Sequence, residues 1–166
     1  MKNEEVTFRE LEESDLGEIK NIYDYYVISS TATFHTEPIT FEELKEFIYF
    51  GHPRYKSYAV ILDGKMCGYC YATYYKKRQA YNRTAEVTIY LNHEYIGRGL
   101  GLAALQYLES AVKEAGLKVL LGVISGDNKG SIRAFEKAGY EQCALFKNVG
   151  EKFGKIIDVV VYQKEI

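Results

Sequence analysis

Proline is scarce in this sequence, and no segment is rich in serine or glycine. Only 2 of the 166 residues are proline, whereas 47% are apolar. That balance argues against a disordered chain or a linker, and the length suits one folded domain better than two. No internal repeat, composition break or low-complexity segment is present, so we expect a single domain over residues 1–166.

An excess of positive charge is also missing, because the formal net charge at pH 7 is -2. A general nucleic-acid binder needs a basic surface to displace counterions from phosphates, so we expect no nucleic-acid partner. No apolar run is as long as a membrane span, and the first residues lack the apolar core of a signal peptide. These absences predict a cytoplasmic protein with no membrane partner.

Cysteine and histidine occur without the spacing of a disulfide framework or a metal site. The 3 cysteines are an odd number, which suits a reducing compartment. Cys67 and Cys70 resemble a redox or zinc pair, but both fall on the second strand, 65–74, of a predicted hairpin. Side chains three apart on a strand point to opposite faces, so we predict ordinary thiols and no metal.

Hydrophobic spacing and turn residues predict the element order βααβββαβαββ. A strand at 6–11 precedes a run of helical spacing, and Thr40 opens a second helix with a capping box. Three strands come next, and a helix, a strand, a helix and two strands follow them. This order indicates an α/β (α+β) fold with a mixed central sheet and helices on both faces.

Three glycines at alternate positions, Gly97, Gly99 and Gly101, lie between a predicted strand and a predicted helix. Without a β-carbon they let backbone amides approach a ligand closely, and the first amides of a helix lack internal partners. The positive end of the helix dipole favours a pyrophosphate there, and Arg98 adds a cation. The alternative is a turn shaped only for tight helix packing. Neither a nucleoside-triphosphate loop nor an early dinucleotide fingerprint matches the spacing.

Several separated motifs resemble one known family. Residues 86–91, the glycine loop and residues 128–140 resemble the GNAT superfamily of N-acetyltransferases, in which such a loop grips the pyrophosphate of acetyl-CoA. Other motifs look like its phosphinothricin (methionine sulfoximine) N-acetyltransferase branch: residues 29–38, 78–81, 83–86 and 149–154 with 158–160. The resemblance covers nearly the whole chain. It implies a GNAT-like sheet and an enzyme that transfers acetyl from acetyl-CoA to the amine of a small amino-acid-like acceptor.

The resemblance also implies roles for particular residues. Glu86 is the implied base, acting directly or through a water, unless it only holds the substrate ammonium. The implied acetyl-CoA contacts are Ile89, Tyr90, Leu91, Ile96, Gly97, Arg98, Gly99, Leu100, Gly101, Asn128 and Ser131. The implied acceptor contacts are Phe34, Thr36, Arg78, Tyr81 and Arg83. An arginine is well suited to grip the carboxylate of such an acceptor.

Two residues depart from the superfamily pattern. Ile96 stands where Arg or Gln usually begins the loop, and Phe135 stands where a Tyr, or in this branch a His, lies near the departing thiolate. Phenylalanine cannot donate a proton, but a thiol with a pKa of about 8 to 9 can leave as thiolate. Other functions stay open: acetylation of another amine, of a protein N-terminus or of a lysine, or a non-catalytic acyl-CoA-binding module.

The branch is typically dimeric, and Phe153 gives a physical reason to expect a homodimer. It lies in a predicted turn, 150–154, between two glycines. A large apolar side chain in such a turn is better explained by a partner surface than by solvent. The alternative is that Phe153 folds back onto its own domain.

Overall fold

Over residues 4–166, which are the part of the chain that the computed structural model describes, a seven-stranded mixed sheet carries four α-helices on its two faces. The strands are β1 (Val6–Glu10), β2 (Ser57–Leu62), β3 (Lys65–Tyr74), β4 (Thr84–Leu91), β5 (Val119–Ser125), β6 (Glu141–Lys152) and β7 (Lys155–Glu165). The helices are α1 (Leu16–Ser29), α2 (Phe41–Leu44), α3 (Leu100–Glu114) and α4 (Lys129–Lys137). The order along the chain is the predicted one.

The strands lie side by side in the order β1, β2, β3, β4, β5, β7, β6. β4 and β5 run parallel, and the other neighbouring pairs are antiparallel. Alternation along β3 separates two cores: Cys70 and Ala72 pack beneath α3 and α4, whereas Tyr69 and Tyr71 pack beneath α1. The predicted mixed sheet with helices on both faces is therefore confirmed.

The prediction that Cys67 and Cys70 point to opposite faces is wrong. Both thiols are free and buried in the core beneath α3. Val60 pairs with Gly68 while Ile61 pairs with Met66, so Cys67 is the extra residue of a β-bulge. The bulge breaks the alternation of the strand and returns Cys67 to the face of Cys70. A glycine inside a strand, here Gly68, was the sequence signal for such an irregularity.

The sheet opens between its two parallel strands. β4 and β5 pair only from Thr84 opposite Val119 to Glu86 opposite Leu121. Beyond that point β4 stays paired with β3, and β5 stays paired with β7. The far halves of β4 and β5 therefore separate, and the backbone of β4 from residue 87 onward is left without a strand on that side. The functional site described below lies in this opening.

The connections differ in detail from the predicted ones. The turn between β6 and β7 is only Phe153 and Gly154, both with positive φ of 54° and 69°. Thr40 caps α2 by accepting a hydrogen bond from the Glu43 amide at 3.2 Å, but the helix ends at Leu44. Among the described residues, no helix combines the length and apolarity needed to cross a membrane.

Candidate active site

A cavity of about 800 Å³ fills the opening between β4 and β5. Its walls come from the second half of β4, the glycine loop, the first turn of α3, the end of β5, one side of α4 and the start of the loop after α1. The lining residues include ten of the predicted acetyl-CoA contacts: Ile89, Tyr90, Leu91, Ile96, Gly97, Gly99, Leu100, Gly101, Asn128 and Ser131. Segments that are far apart in the sequence thus meet around one space.

The glycine loop presents an open helix N-terminus to this cavity. Gly97 and Gly99 have φ of 82° and 77°, a left-handed conformation that favours glycine. Gly99 is the N-cap residue of α3, so no side chain satisfies the first amides of that helix. A β-carbon at Gly97 or Gly99 would meet no protein atom within 4 Å. The glycines therefore leave space for a ligand at the positive end of the α3 dipole.

The N-terminus of α4, on the opposite wall, is capped by its own chain. The Asn128 side-chain oxygen accepts a hydrogen bond from the Ser131 amide at 3.2 Å. The carboxamide NH₂ of Asn128 remains available to a ligand in the cavity. The two helices therefore offer different groups, since α3 offers bare backbone amides and α4 offers a side chain.

Basic side chains on α4 that sequence reasoning missed line the same cavity: Lys129, Arg133 and Lys137. All three are exposed, and none forms an ion pair with a residue that the structure describes. Their spacing of four residues, which puts them on one side of a helix, was a usable signal. The rim of the cavity is therefore positively charged.

Arg98 is the predicted acetyl-CoA contact that does not line the cavity. Its guanidinium forms an exposed ion pair with Glu4 at 3.4 Å and lies 5.1 Å from the centre of the Tyr95 ring. An exposed pair of this kind is worth little energy. Reorientation of Arg98 toward a bound phosphate would therefore cost little.

The end of β4 is held by Tyr26 of α1. The Tyr26 hydroxyl donates a hydrogen bond to the Leu91 carbonyl, and its ring lies 5.4 Å from that of Tyr90. Burial raises the pKa of Tyr26 to about 12, so the hydroxyl keeps its proton at neutral pH. This contact fixes the strand edge at the cavity and removes one carbonyl from those open to a ligand.

Glu86 lies at the point where β4 and β5 separate. It is the last residue of β4 paired with β5, and the next residue, Val87, already lines the cavity. Alternation puts Glu86 on the face of the sheet opposite Ala85 and Val87, which belong to the core beneath α3. Burial raises the pKa of the half-buried Glu86 carboxyl above its usual range. A carboxylate with a raised pKa is a stronger base.

The predicted acceptor residues are not gathered around a single cavity. Phe34 and Thr36 are exposed on the loop between α1 and α2, and Arg78 and Arg83 are exposed between β3 and β4. Tyr81 is half-buried. None of the five borders the cavity beside the glycine loop.

Phe135 forms part of the cavity wall and cannot act as an acid. It is buried, with its ring edge-to-face against Tyr140 at 4.9 Å between centroids. A β-carbon at Gly122 would overlap the Phe135 ring, so glycine at that position makes room for phenylalanine. The wall here is apolar and tightly packed.

Comparison with known proteins identifies the family. The model of the acetyltransferase (GNAT) family matches residues 19–140. The phosphinothricin N-acetyltransferase of Alcaligenes faecalis is 32% identical over 166 residues, covering 96% of this chain and 82% of that protein. The L-methionine sulfoximine/L-methionine sulfone acetyltransferase of Pseudomonas paraeruginosa is 26% identical, covering 90% of this chain and 88% of its own.

A solved structure shares both the fold and part of the sequence. The GNAT superfamily phosphinothricin acetyltransferase of Sinorhizobium meliloti, solved in complex with AcCoA, superposes with a TM-score of 0.90 at 28% identity. The match covers 97% of this chain and 88% of that one. Because the family model spans most of the chain and a relative at 32% identity spans nearly all of it, the chain belongs to the acetyltransferase (GNAT) family.

Proposed function

We propose that this acetyltransferase, acting as one catalytic domain, takes an acetyl group from acetyl-CoA and delivers it to the amine of a small amino-acid-like acceptor. The acceptor class is that of phosphinothricin and methionine sulfoximine. One observation carries the proposal: the cavity with the open α3 N-terminus extends along β4 to Val87, the residue after Glu86, where β4 and β5 separate. A phosphate-binding helix N-terminus and a base with a raised pKa thus lie toward opposite ends of the same stretch of β4.

The cavity fits the parts of acetyl-CoA in sequence. The bare amides of Gly97 to Gly101 and the dipole of α3 suit the pyrophosphate. The unpaired edge of β4 and the Asn128 carboxamide suit the amide groups of the pantetheine arm. Ser131 lies in the same wall. The thioester is then the part of the cosubstrate that lies nearest to Glu86.

Glu86 supplies the base that the reaction needs. A free amine titrates at roughly 8 to 10, so most of the acceptor is protonated at neutral pH and cannot attack a thioester. Glu86 takes the proton from the ammonium directly or through a water, or holds the ammonium before attack. Its partial burial supports the first two roles, because burial raises the pKa and hence the basicity of the carboxylate.

The thiol leaves without an acid from the protein. Phe135 stands in the wall of the cavity and has no proton to give. A coenzyme A thiol has a pKa of about 8 to 9, so it leaves as thiolate and takes a proton from water. A backbone amide of the β4 edge is the candidate donor to the developing oxyanion.

On the acceptor side, we assign the substrate carboxylate to Arg78 and Arg83. Both are exposed, so their guanidinium groups are free to form bidentate hydrogen bonds with a ligand. Phe34, Thr36 and Tyr81 would form the remaining wall.

A second copy of the chain is the proposed partner. β6 is an edge strand, and apolar side chains are exposed on it and on the adjoining turn and strand: Leu145, Phe146, Val149, Phe153 and Ile156. An unpaired strand edge that carries apolar side chains pairs readily with its own copy across a two-fold axis. We therefore propose a homodimer through β6.

Three free cysteines fit a cytoplasmic location.

The test is an acceptor screen by release of coenzyme A thiol. Phosphinothricin, methionine sulfoximine, ordinary amino acids, a lysine peptide and a peptide with a free N-terminus are compared at equal concentrations. We expect the first two, or close amino-acid analogues, to give the highest kcat/KM. Preference for a peptide would replace the acceptor class, and binding of acetyl-CoA with no thiol release in the presence of any of these amines would support a non-catalytic acyl-CoA-binding module.

A further inference from the structure

The loop between α1 and α2, residues 30–40, contributes both to the cavity beside the glycine loop and to the proposed acceptor contacts. We call it the acceptor loop. Its first residues, Ser30, Thr31 and Ala32, line the cavity beside the glycine loop. The proposed acceptor residues Phe34 and Thr36 follow within the same loop. The position of this loop therefore decides how the acceptor meets the thioester.

The Asp127 carboxylate ties the acceptor loop to two other segments. One of its oxygens accepts hydrogen bonds from the Thr31 hydroxyl at 2.8 Å and from the Lys155 ammonium at 2.7 Å. The other oxygen accepts from the Ser125 hydroxyl at 2.5 Å. Burial opposes ionisation of Asp127, but the hydrogen bonds from Lys155, Ser125 and Thr31 outweigh it and lower its pKa to about 2. The carboxylate is thus ionised throughout the physiological range.

A group of opposite charge holds the same loop two residues further on. The Lys152 side chain is buried, with 3% of its surface exposed, and donates to the Thr33 carbonyl at 2.9 Å and the Tyr26 carbonyl at 3.2 Å. Thr31 and Thr33 are therefore anchored by an anion and a cation from two different segments. The loop is held in place before any substrate binds.

Asp127 lies next to Asn128 in the cavity lining that we assign to acetyl-CoA, here called the cosubstrate wall. It immediately precedes Asn128, the N-cap of α4, and itself lines the cavity. Asp127 therefore joins the lining of the cavity to the acceptor loop.

We propose that Asp127 is a positioning residue for acetyl transfer, holding the acceptor loop in register with the cosubstrate wall through Thr31 and Lys155. This inference rests on the proposed function. It makes two separate claims: Asp127 is needed to order the loop, and loop order is needed for acceptor binding more than for acetyl-CoA binding. A hydrogen bond to a charged group is stronger than one between neutral groups, so its loss has a measurable effect.

The experiment compares matched variants in the full-length protein. Thr31→Val removes the hydroxyl donor at nearly constant volume, whereas Thr31→Ser keeps the donor. Asp127→Asn keeps the shape and removes the charge. Asp63→Asn is the control, because Asp63 is an aspartate in the distant turn between β2 and β3, where asparagine tolerates its φ of 48°. Each variant is measured for KM of acceptor and of acetyl-CoA, for acetyl-CoA binding by calorimetry and for amide hydrogen exchange over residues 30–40.

In Thr31→Val and Asp127→Asn, we expect the KM for acceptor to rise about tenfold, and exchange over residues 30–40 to accelerate by a similar factor. The KM and Kd for acetyl-CoA should stay within about twofold of wild type. Thr31→Ser and Asp63→Asn should match wild type. The double variant Thr31→Val, Asp127→Asn should lose less than the sum of the two single variants, because the Thr31–Asp127 contact is affected in both.

Two results would overturn the inference. Unchanged exchange over residues 30–40 in both variants would show that Asp127 does not order the loop. Faster exchange together with equal increases in the KM for acceptor and for acetyl-CoA would show that Asp127 has only a general structural role. If no amine were acetylated even by the wild type, the proposed function would fall, while the exchange and calorimetry arms would still decide whether Asp127 holds the loop.

Discussion

The two halves of the candidate site are built differently. On the cosubstrate side, all the predicted contacts except Arg98 lie along one cavity, and most of what they present is backbone: an uncapped helix N-terminus and a strand edge. On the acceptor side, the five predicted contacts are side chains on two loops, and none of them lines that cavity. The first set of predicted contacts is mostly backbone that the fold holds in place, whereas the second depends on side-chain conformation.

This difference has a physical basis. Backbone groups in helices and strands are fixed by the fold, so a site made from them exists before the ligand arrives. Exposed Arg78 and Arg83 must lose side-chain entropy on binding, which reduces the net gain from each contact. We therefore expect changes in the cosubstrate half to have large and specific effects, and changes in the acceptor half to have smaller effects that depend on the acceptor.

Replacing Gly99 should have the largest effect, and it should fall on the cosubstrate half. Gly99→Val should weaken acetyl-CoA binding more than about a hundredfold, because valine would occupy the space beside the α3 amides and disfavours a φ of 77°. In thermal melting experiments, the increase in Tm that acetyl-CoA gives to the wild type should disappear.

The matched control is Gly51→Val. Gly51 has a φ of 66° and open space around its missing β-carbon, but it lies between α2 and β2, away from the glycine loop. Both substitutions should lower the Tm of the unliganded protein to a similar extent, because each should reduce the free energy of unfolding by about 1 to 2 kcal/mol. Only Gly99→Val should abolish the increase in Tm that acetyl-CoA gives. An undiminished shift in Gly99→Val would mean that the phosphates bind elsewhere.

Glu86→Gln should reduce kcat by about a hundredfold, with little change in the KM for acetyl-CoA. The wild-type rate should fall as pH decreases through the raised pKa of Glu86, and the variant should lack that decrease. A change confined to the KM for acceptor would instead assign Glu86 to ammonium binding. Wild-type kcat in the variant would exclude Glu86 as the base.

The same substitution should raise stability at neutral pH. Because burial raises the folded-state pKa of Glu86, its contribution to stability is present below the unfolded pKa and is lost as pH rises through the folded pKa. Glu86→Gln removes this buried charge. The variant should therefore melt at the wild-type temperature in acid and above it at pH 7. If the variant and the wild type had the same Tm at pH 7 as well as in acid, the burial of Glu86 would be contradicted.

The order of elements and the conformation of the glycine loop could be predicted because their signals are local. Alternate glycines before a helix indicate backbone that needs positive φ or close approach, and Gly97 and Gly99 have that conformation. The bulge at Cys67 was missed because alternation was assumed to continue through Gly68. Strand periodicity alone does not reveal an inserted residue.

The contacts that hold the acceptor loop could not be predicted from spacing. Thr31 and Asp127 are 96 residues apart, and Thr33 and Lys152 are 119 apart. A lysine in a predicted turn is ordinarily expected in solvent, yet Lys152 is buried and donates to the Thr33 carbonyl of the acceptor loop and the Tyr26 carbonyl of α1. Such pairs become visible only when the sheet brings β5, β6 and α1 together.

Arg78→Ala and Arg83→Ala should have intermediate effects that fall on the acceptor half. Each should raise the KM for an amino-acid acceptor about thirtyfold, since a charge-assisted hydrogen bond to the carboxylate is lost. The KM for acetyl-CoA should not change. The control is an amine of the same size without a carboxylate, for which wild type and variants should be equal. If the KM rose equally for both amines, the two arginines would have only a general charge role.

The smallest effect is expected from Phe153→Ser, which tests whether a second copy completes the acceptor half. Phe153 is 62% exposed at the turn between β6 and β7, so it does not fold back into the core of its own chain. Serine there should leave the monomer folded but weaken dimerisation about tenfold, because an apolar anchor is removed from the interface. Light scattering over a protein concentration series measures this change. Phe41→Ser is the control, because Phe41 is an exposed phenylalanine on α2. The turn lies next to Lys152, which donates to the Thr33 carbonyl of the acceptor loop, and to Lys155, which binds Asp127. Dissociation should therefore raise the KM for acceptor but not for acetyl-CoA. A monomer mass for the wild type at every concentration would exclude the homodimer, and an unchanged dimer in Phe153→Ser would remove this residue from the interface.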